Sequence, residues 1–118
     1  MNDTLDTGRT GEHLAADYFS SRGFDVLAVN WRHSYYEIDL VAAKGPVLHV
    51  VEVKTRRGGE FGFPEEAVSH KKLYNLMRAG VRYQAEHPQW RRMQYDVLSI
   101  RLHKGAPPEY FLIEDVYV

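Results

Sequence analysis

Apolar and small residues recur at helical spacing in two stretches of the chain. Between Gly8 and Ser21 they fall on one stripe at i, i+3, i+4, i+7 and i+8, which predicts a helix, and Gly23 follows as a C-terminal stop. A second helix is predicted to begin near Pro64, where Pro64, Glu65 and Glu66 suit a helix N-terminus. It is expected to end at His87-Pro88, because the residue before a proline disfavours helical backbone.

Five further segments have the composition of β-strands, at residues 24–32, 36–42, 47–55, 93–103 and 110–118. Lys44-Gly45-Pro46 predicts a hairpin between the second and third segments, and Gly105 to Pro108 a turn before the last one. The third segment is apolar on both faces, which is typical of a central strand. The order α-β-β-β-α-β-β predicts an α/β (α+β) fold, with a central mixed β-sheet of about five strands flanked by helices.

The composition narrows the class of protein. A chain of 118 residues fits a single domain spanning 1–118, and residues 1–7 are expected to be flexible. The sequence contains no cysteine, which excludes disulfides, thiolate zinc sites and cysteine nucleophiles. No apolar run approaches the roughly 18–20 residues of a membrane span, and no secretory signal is visible at Met1 to Thr7. We therefore expect a cytoplasmic protein without a membrane partner.

Positive charge is concentrated in one part of the chain although the formal net charge is only −1. Residues 54–104 contain eleven Lys or Arg and five Asp or Glu. The second predicted helix carries a basic stripe of Lys71, Asn75, Arg78 and Arg82, and Arg56 and Arg57 end the third strand. Phosphate contacts from such groups supply most of the non-specific affinity for nucleic acids. A solvated helix face is the alternative, so the candidate nucleic-acid-binding residues are Lys71, Arg56, Arg57 and Arg78.

Aromatic side chains offer a further route to nucleic acids. Trp90, Phe61 and Phe63 could stack on bases, although single aromatic residues more often pack within the protein.

The segments Glu37-Ile38-Asp39 and Glu52-Val53-Lys54 carry the most informative chemistry. An antiparallel hairpin in which paired residue numbers sum to 91 would set Asp39 opposite Glu52 and Glu37 opposite Lys54. Facing carboxylates repel each other, and a hard divalent cation such as Mg²⁺ or Mn²⁺ removes that conflict. Lys54 would project on the same side as Glu52, where it could orient an attacking water or neutralise charge on a phosphate.

The alternative interpretation is that these are ordinary surface charges. An acidic-x-Lys triplet is expected about once by chance in a chain of average composition, and exposed ion pairs contribute at most about 1 kcal/mol. A hairpin register shifted by one residue would also place Asp39 and Glu52 on opposite faces of the sheet. The strand context favours a site, because Glu52 and Lys54 interrupt an otherwise apolar strand where unpaired charge is costly.

Asp39, Glu52-Val53-Lys54 and the preceding Glu12 resemble the PD-(D/E)xK nuclease signature. A longer pattern resembles the YraN-like family of bacterial proteins, which are predicted endonucleases distantly similar to archaeal Holliday-junction resolvases. That pattern comprises Gly11-Glu12, Gly23, Asn30-Trp31-Arg32, Glu37-Ile38-Asp39-Leu40, Val51-Glu52-Val53-Lys54-Thr55-Arg56, Gly62, Lys71, Ala79 and Tyr95-Asp96-Val97. The resemblance implies a restriction-endonuclease-like fold.

The resemblance also assigns roles to residues. Asp39 and Glu52 would bind the metal, Lys54 would be the catalytic lysine, and Glu12 would be a further acidic contributor. Glu37, on the same strand face as Asp39, is a further candidate catalytic residue. Two departures bear on substrate handling. Tyr36 stands where the family usually has Gly, and Gln94 where it usually has Arg.

Three functions follow from these observations. The first is a Mg²⁺- or Mn²⁺-dependent endonuclease that hydrolyses phosphodiester bonds in DNA, with branched or structured DNA as a candidate substrate. A two-strand cut would need two sites, which makes a homodimer a candidate assembly. The second is a nucleic-acid-binding module that keeps the nuclease fold with little or no cleavage. The third is a structural or interaction domain.

Overall fold

The computed structural model describes residues 3–58 and 69–116, with side chains from residue 8 onward. The predicted helix start at Pro64 lies outside these residues, as do Phe61 and Phe63. The elements are α1 (Asp3–Ser21), β1 (Asp25–His33), β2 (Tyr36–Lys44), β3 (Val47–Arg57), α2 (His70–Glu86), β4 (Arg92–His103) and β5 (Ala106–Ile113). Their order confirms the predicted α-β-β-β-α-β-β fold.

The strands form one mixed sheet with the spatial order β1-β2-β3-β4-β5. Neighbouring strands are antiparallel except for β3 and β4, which are parallel. A parallel pair needs a crossover connection, and α2 lies in that connection. The apolar third strand is therefore central, as predicted.

The two helices pack on opposite faces of the sheet because β3 supplies apolar side chains to both. Val51 and Val53 join the core beneath α1, whereas Leu48 and Val50 join the core beneath α2. Helix α1 contributes Ala15 and Phe19, and helix α2 contributes Leu76, Ala79 and Tyr83. No helix in the described part of the chain is long and apolar enough to cross a membrane.

Helix α1 is longer than its apolar stripe predicts. It begins at Asp3, five residues before the start of that stripe at Gly8. Its C-terminal end is as predicted, because Gly23 adopts a positive φ of 85° and the N–H of Phe24 donates to the carbonyl of Phe19 at 3.1 Å. Helix α2 ends before His87, also as predicted.

The last strand differs from the prediction. It begins at Ala106 rather than Tyr110, because the chain turns tightly at Gly105, where φ is 77°, and it ends at Ile113; residues 117 and 118 of the predicted strand lie outside the described residues. Pro107 and Pro108 are tolerated within it because β5 is an edge strand paired only with β4.

The alternation of side chains along β2 is interrupted near Asp39. Residues two apart share a face of a regular strand, but Ile38 packs beneath α2 and Leu40 beneath α1. On β1, between the pairs Val29–Leu40 and Trp31–Ile38, Asn30 adopts a left-handed φ of 53°. This local irregularity involves both strands. Because of it, the part of β2 that precedes Asp39 turns its side chains to the opposite faces of the sheet from those expected of a regular strand.

Candidate active site

The β2–β3 hairpin has the register that the sequence predicts. Its paired residues run from Lys44–Val47 to Leu40–Val51, and each pair of numbers sums to 91. The ladder stops at Leu40–Val51, and β3 continues beside β4 as far as Arg57. Asp39 and Glu52 thus stand one step beyond the last pair, where the two strands separate.

The side chain of Asp39 bonds to the main chain of β3 at this point. The N–H of Val53 donates to Oδ2 of Asp39 at 2.8 Å. The predicted pairing of Glu37 with Lys54 is absent from the ladder. Glu37 pairs instead with Arg32 on β1, and the guanidinium of Arg32 donates to its carboxylate at 3.4 Å.

Three acidic side chains and the first half of α2 enclose a cavity of about 480 Å³. The acidic residues are those predicted from the two strand motifs, Glu37, Asp39 and Glu52. The remaining lining residues are Lys72, Asn75, Leu76 and Arg78 from α2 together with Tyr35 and Tyr36. The cavity therefore combines a carboxylate floor with a basic helical wall.

Burial perturbs the two inner carboxyl groups strongly. Loss of hydration raises the pKa of Asp39 from 3.8 to about 6, with the charges of Glu37 and Glu12 adding to the rise and the Val53 N–H opposing it. Burial, together with the nearby Asp39 charge, raises the pKa of Glu52 from 4.5 to about 7. Lys72 lowers the pKa of both groups. The fold thus holds the two carboxyl groups together at an electrostatic cost.

The donor atoms at this site suit a hard divalent cation. Asp39 and Glu52 provide carboxylate oxygens and no nitrogen or sulfur, which is the chemistry that Mg²⁺ or Mn²⁺ prefers. Within residues 3–58 and 69–116, no group of three or more His, Asp or Glu side chains is close enough to hold a metal ion together. Two carboxylates with water completing the shell are nevertheless typical of Mg²⁺ sites.

The lysine that lines the cavity is Lys72 and not Lys71. Lys71 is exposed and is absent from the cavity wall. The helix is capped by Ser69, whose hydroxyl accepts the N–H of Lys72 at 3.2 Å, so Lys72 lies in its first turn. In a helix, Lys72 shares a face with Asn75 and Leu76, which follow it by three and four residues. That spacing is the sequence signal that could have identified Lys72 as a lining residue.

Lys54, predicted to project on the same side as Glu52, lies outside the cavity lining. It is half-buried on β3. Its charge lowers the pKa of Glu52, but less than the charge of Lys72 does. Lys54 is therefore within electrostatic reach of the carboxylates, while Lys72 is the lysine that faces the cavity.

Helix α1 brings Glu12 near the carboxylates through a close approach to β3. Gly11 packs against Thr55, and a Cβ added at Gly11 would lie 1.8 Å from Oγ1 of Thr55. Only glycine permits that distance. The adjacent Glu12 is half-buried, and its charge contributes to the raised pKa of Asp39.

The remaining basic candidates are spread over different surfaces. Arg78 lines the cavity, with its guanidinium 5.9 Å from the ring centroid of Tyr36. Arg82 donates to Glu86 at 3.0 Å and is thereby held along the helix. Arg56 and Arg57 end β3, beside β4, and neither lines the cavity.

Trp90 is a packing residue. It lies half-buried against the core beneath α2, and the side-chain amide of Gln84 donates to its carbonyl at 2.9 Å. Asp96, to which the sequence assigned no role, is buried and accepts from Gln94 at 2.9 Å and from the N–H of Asp115 at 3.0 Å. It also contacts Nδ1 of His49 at 2.7 Å.

Comparison with known proteins places the chain in a family. The model of uncharacterised protein family UPF0102 matches residues 11–100. The chain belongs to family UPF0102. A UPF0102 protein of Rhodococcus opacus (strain B4) is 38% identical over 118 residues, which cover 99% of this chain and all of that protein. One from Mycolicibacterium gilvum (strain PYR-GCK) is 42% identical over 112 residues, covering 92% and 91% of the two chains.

A third UPF0102 relative, from Syntrophomonas wolfei, is 41% identical over 99 residues, which cover 83% of this chain and 86% of the relative. The family assignment confirms the resemblance to the YraN-like family predicted from the sequence. In this UPF0102 protein, the matched region includes Glu12, Asp39, Glu52, Lys54 and α2.

Proposed function

We propose that this protein is a metal-dependent endonuclease that hydrolyses phosphodiester bonds in DNA. The observation that carries the proposal is the pair of half-buried carboxyl groups, Asp39 and Glu52, on the floor of a cavity whose other wall bears Lys72 and Arg78. A purely structural surface would gain nothing from burying two acids side by side. A bound cation would compensate them both.

The residues divide into a metal-binding part and a phosphate-binding part. Asp39 and Glu52 would hold Mg²⁺ or Mn²⁺, and the Val53 N–H fixes the orientation of the Asp39 carboxylate. The cation, when bound, would supply Lewis-acid stabilisation of the charge on the phosphate and a more acidic water. Lys72 and Arg78 would bind the anionic phosphate from the α2 side of the cavity.

Three further charged residues complete the proposed site: Glu37 in the cavity lining, and Glu12 and Lys54 outside it. Glu12 and Glu37 add negative charge near Asp39, which strengthens attraction for a cation. Lys54 is proposed as the lysine that stabilises charge developing in the reaction, as the family resemblance implies. In this role it would act from beside Glu52 rather than from the cavity wall.

A second candidate function is DNA binding without cleavage. It is favoured by one observation, namely that Lys54 does not line the cavity. Only a nuclease would cut the DNA into shorter products, so a cleavage assay distinguishes the two functions.

The test compares metal binding and cleavage in matched variants. Mg²⁺ or Mn²⁺ is titrated calorimetrically into the wild-type protein, Asp39→Asn, Glu52→Gln and the control Asp17→Asn, whose side chain is exposed on α1. The same proteins are then assayed on linear duplex, single-stranded and four-way-junction DNA. The nuclease predicts metal binding and cleavage in the wild type and in Asp17→Asn, and loss of both in the two site variants.

Two other outcomes of these experiments would contradict the nuclease. Salt-dependent DNA binding without cleavage of any of the three substrates would select the binding module. Failure to bind either metal, in the presence as well as the absence of DNA, would overturn the proposed metal site.

A further inference from the structure

A second cavity adjoins the candidate active site along α2. It has a volume of about 430 Å³, and its lining includes Tyr74, Met77 and Val81 on one helix face and Tyr36 on β2. The exposed fraction of Tyr74 is 55% and that of Val81 is 59%, so both side chains present apolar surface to a ligand. None of the residues lining this cavity is acidic, in contrast to the carboxylate floor of the first cavity.

The two cavities share Tyr36 and Arg78. The guanidinium of Arg78 lies 5.9 Å from the ring centroid of Tyr36 and 5.8 Å from that of Tyr74, within the range of cation–π attraction. Among the residues that the structure describes, no carboxylate forms an ion pair with Arg78. A ligand that follows α2 from the first cavity to the second therefore meets a cation at the boundary and aromatic rings beyond it.

We infer that the second cavity is a binding site for an unpaired nucleobase, adjacent to the phosphate held at the carboxylate site. This inference rests on the proposed function, since it names the part of the DNA that enters next to the reacting phosphate. Tyr74 would stack on the base, and Met77 and Val81 would contact its apolar faces. A base paired within a continuous duplex cannot reach such a cavity without leaving its stack.

Charge favours a nucleotide over an apolar peptide as the occupant. Arg78 and Arg82 both line the cavity, and both would lie beside the sugar-phosphate chain of a nucleotide whose base is inserted. The side chain of Arg82 is fixed by bonds to Glu86 and to Nε2 of His33, each at 3.0 Å. A fixed cation and a stacking ring at the end of a phosphate-binding wall suit single-stranded DNA, including the unpaired strands of branched structures.

The test isolates the contribution of the base from that of the phosphates. Affinity is measured by fluorescence anisotropy for an oligothymidylate of about six nucleotides and for a chain of the same length whose units are abasic tetrahydrofuran phosphates. The wild-type protein is used with EDTA, so that no cleavage occurs. The inference predicts that removing the bases weakens binding at least about five-fold, the lower limit for one base stacked on an aromatic ring.

Variants assign that effect to the second cavity. Tyr74→Ala should bind the oligothymidylate about five-fold more weakly and discriminate little between the two chains, whereas Tyr74→Phe should behave like the wild type. Phe111→Ala is the matched control, because Phe111 is a similarly exposed ring on β5 with an exposed fraction of 52%. Circular dichroism confirms that each variant is folded.

The outcomes separate this inference from the proposed function. Equal affinity for the two chains, or no detectable binding of oligothymidylate, would overturn the base site whatever the metal titration shows. Base-dependent binding that Tyr74→Ala leaves unchanged would overturn the assignment to this cavity. Base-dependent binding lost in Tyr74→Ala, in a protein that binds no metal and cleaves no DNA, would support the base site and overturn the nuclease.

Discussion

The main-chain N–H of Val53 donates to the carboxylate of Asp39 at 2.8 Å, at the place where β2 and β3 separate. One side chain thus satisfies a backbone donor that the hairpin ladder no longer pairs, and it also faces the cavity that contains Glu52. Asp39 has a structural role that is independent of any cation. Experiments on the site therefore have to distinguish loss of its charge from loss of its hydrogen bond.

Asp39→Ala should destabilise the fold more than Asp39→Asn. Alanine leaves the Val53 N–H without its partner, at a cost of about 1–3 kcal/mol, whereas the amide oxygen of asparagine can still accept the bond. Urea denaturation of both variants at pH 7, without metal, measures the difference. Equal stabilities would show that water or a main-chain shift replaces the Asp39 oxygen at no cost.

The carboxyl pair should make the metal-free protein less stable as the pH rises from about 4 to about 7. A carboxyl group whose pKa is higher in the folded chain favours folding while protonated, and this contribution is lost as the pH passes from its unfolded to its folded pKa. Those values are 3.8 and about 6 for Asp39, and 4.5 and about 7 for Glu52. The glutamine of Glu52→Gln cannot ionise. The free energy of unfolding of this variant, relative to that of the wild type, should therefore increase as the pH rises from about 4 to about 7.

Chemical denaturation of the wild type and of Glu52→Gln at intervals between pH 4 and pH 8 tests this expectation. The difference between the two proteins removes the titration of groups elsewhere in the chain. A difference that does not change with pH would contradict the raised pKa of Glu52.

Replacing Lys72 should perturb the carboxyl groups, whereas replacing Lys71 should not. The charge of Lys72 lowers the pKa of both Asp39 and Glu52, so Lys72→Met should raise the pKa of each group further. Lys71→Met is the matched control, since Lys71 is the adjacent exposed lysine on the same helix and does not line the cavity. Carboxyl ¹³C chemical shifts followed against pH measure the pKa values of Asp39 and Glu52 in both variants. Equal pKa changes in Lys72→Met and Lys71→Met would contradict the position of Lys72 beside the carboxyl groups.

Gly11→Ala should destabilise the protein, and Gly8→Ala should not. The new Cβ at Gly11 would lie 1.8 Å from Oγ1 and 2.9 Å from Cβ of Thr55, so α1 would have to move away from β3. Overpacking of this kind typically costs about 1–3 kcal/mol. A Cβ at Gly8 meets nothing within 4 Å, and alanine within a helix is favoured over glycine by up to about 1 kcal/mol.

Thermal or urea unfolding of both glycine variants compares these two helix positions directly. Adding Thr55→Ala to Gly11→Ala should recover only part of the loss, because the Cβ of residue 55 remains 2.9 Å away. Full stability of Gly11→Ala by itself would show that the helix can shift freely on the sheet.

Asp96→Ala should destabilise the fold by about 3–5 kcal/mol. The buried carboxylate accepts from the side chain of Gln94 and from the N–H of Asp115, and it contacts His49 at 2.7 Å. Removing it leaves the buried His49 ring, the half-buried Gln94 amide and the Asp115 N–H without this partner at once. The free energy of unfolding measures the loss, and a change below about 1 kcal/mol would contradict a structural role for Asp96.

Much of the hairpin and part of the site could be predicted from local sequence. The turn at Lys44-Gly45-Pro46 and the period-two alternation fix which residues of β2 and β3 pair, and the pairs summing to 91 confirm that register. The same register places Asp39 next to Glu52. By contrast, the predicted pairing of Glu37 with Lys54 required the two strands to stay together, whereas β3 continues alone beside β4.

The sequence by itself determined the order of elements, the family, and the two carboxylates that meet at the end of the hairpin. The elements and the hairpin register depend on short-range periodicity and on turn residues, which act over a few positions along the chain, whereas the family is indicated by the joint pattern of motif residues. Tertiary structure alone decided which lysine faces the cavity, and it gave Tyr36 and Arg78 their places in two adjoining cavities. The reason is that the rotation of α2 on the sheet is set by the packing of Leu76, Ala79 and Tyr83 beneath it. A helical repeat defines the faces of a helix, but contacts distant in sequence decide what each face meets.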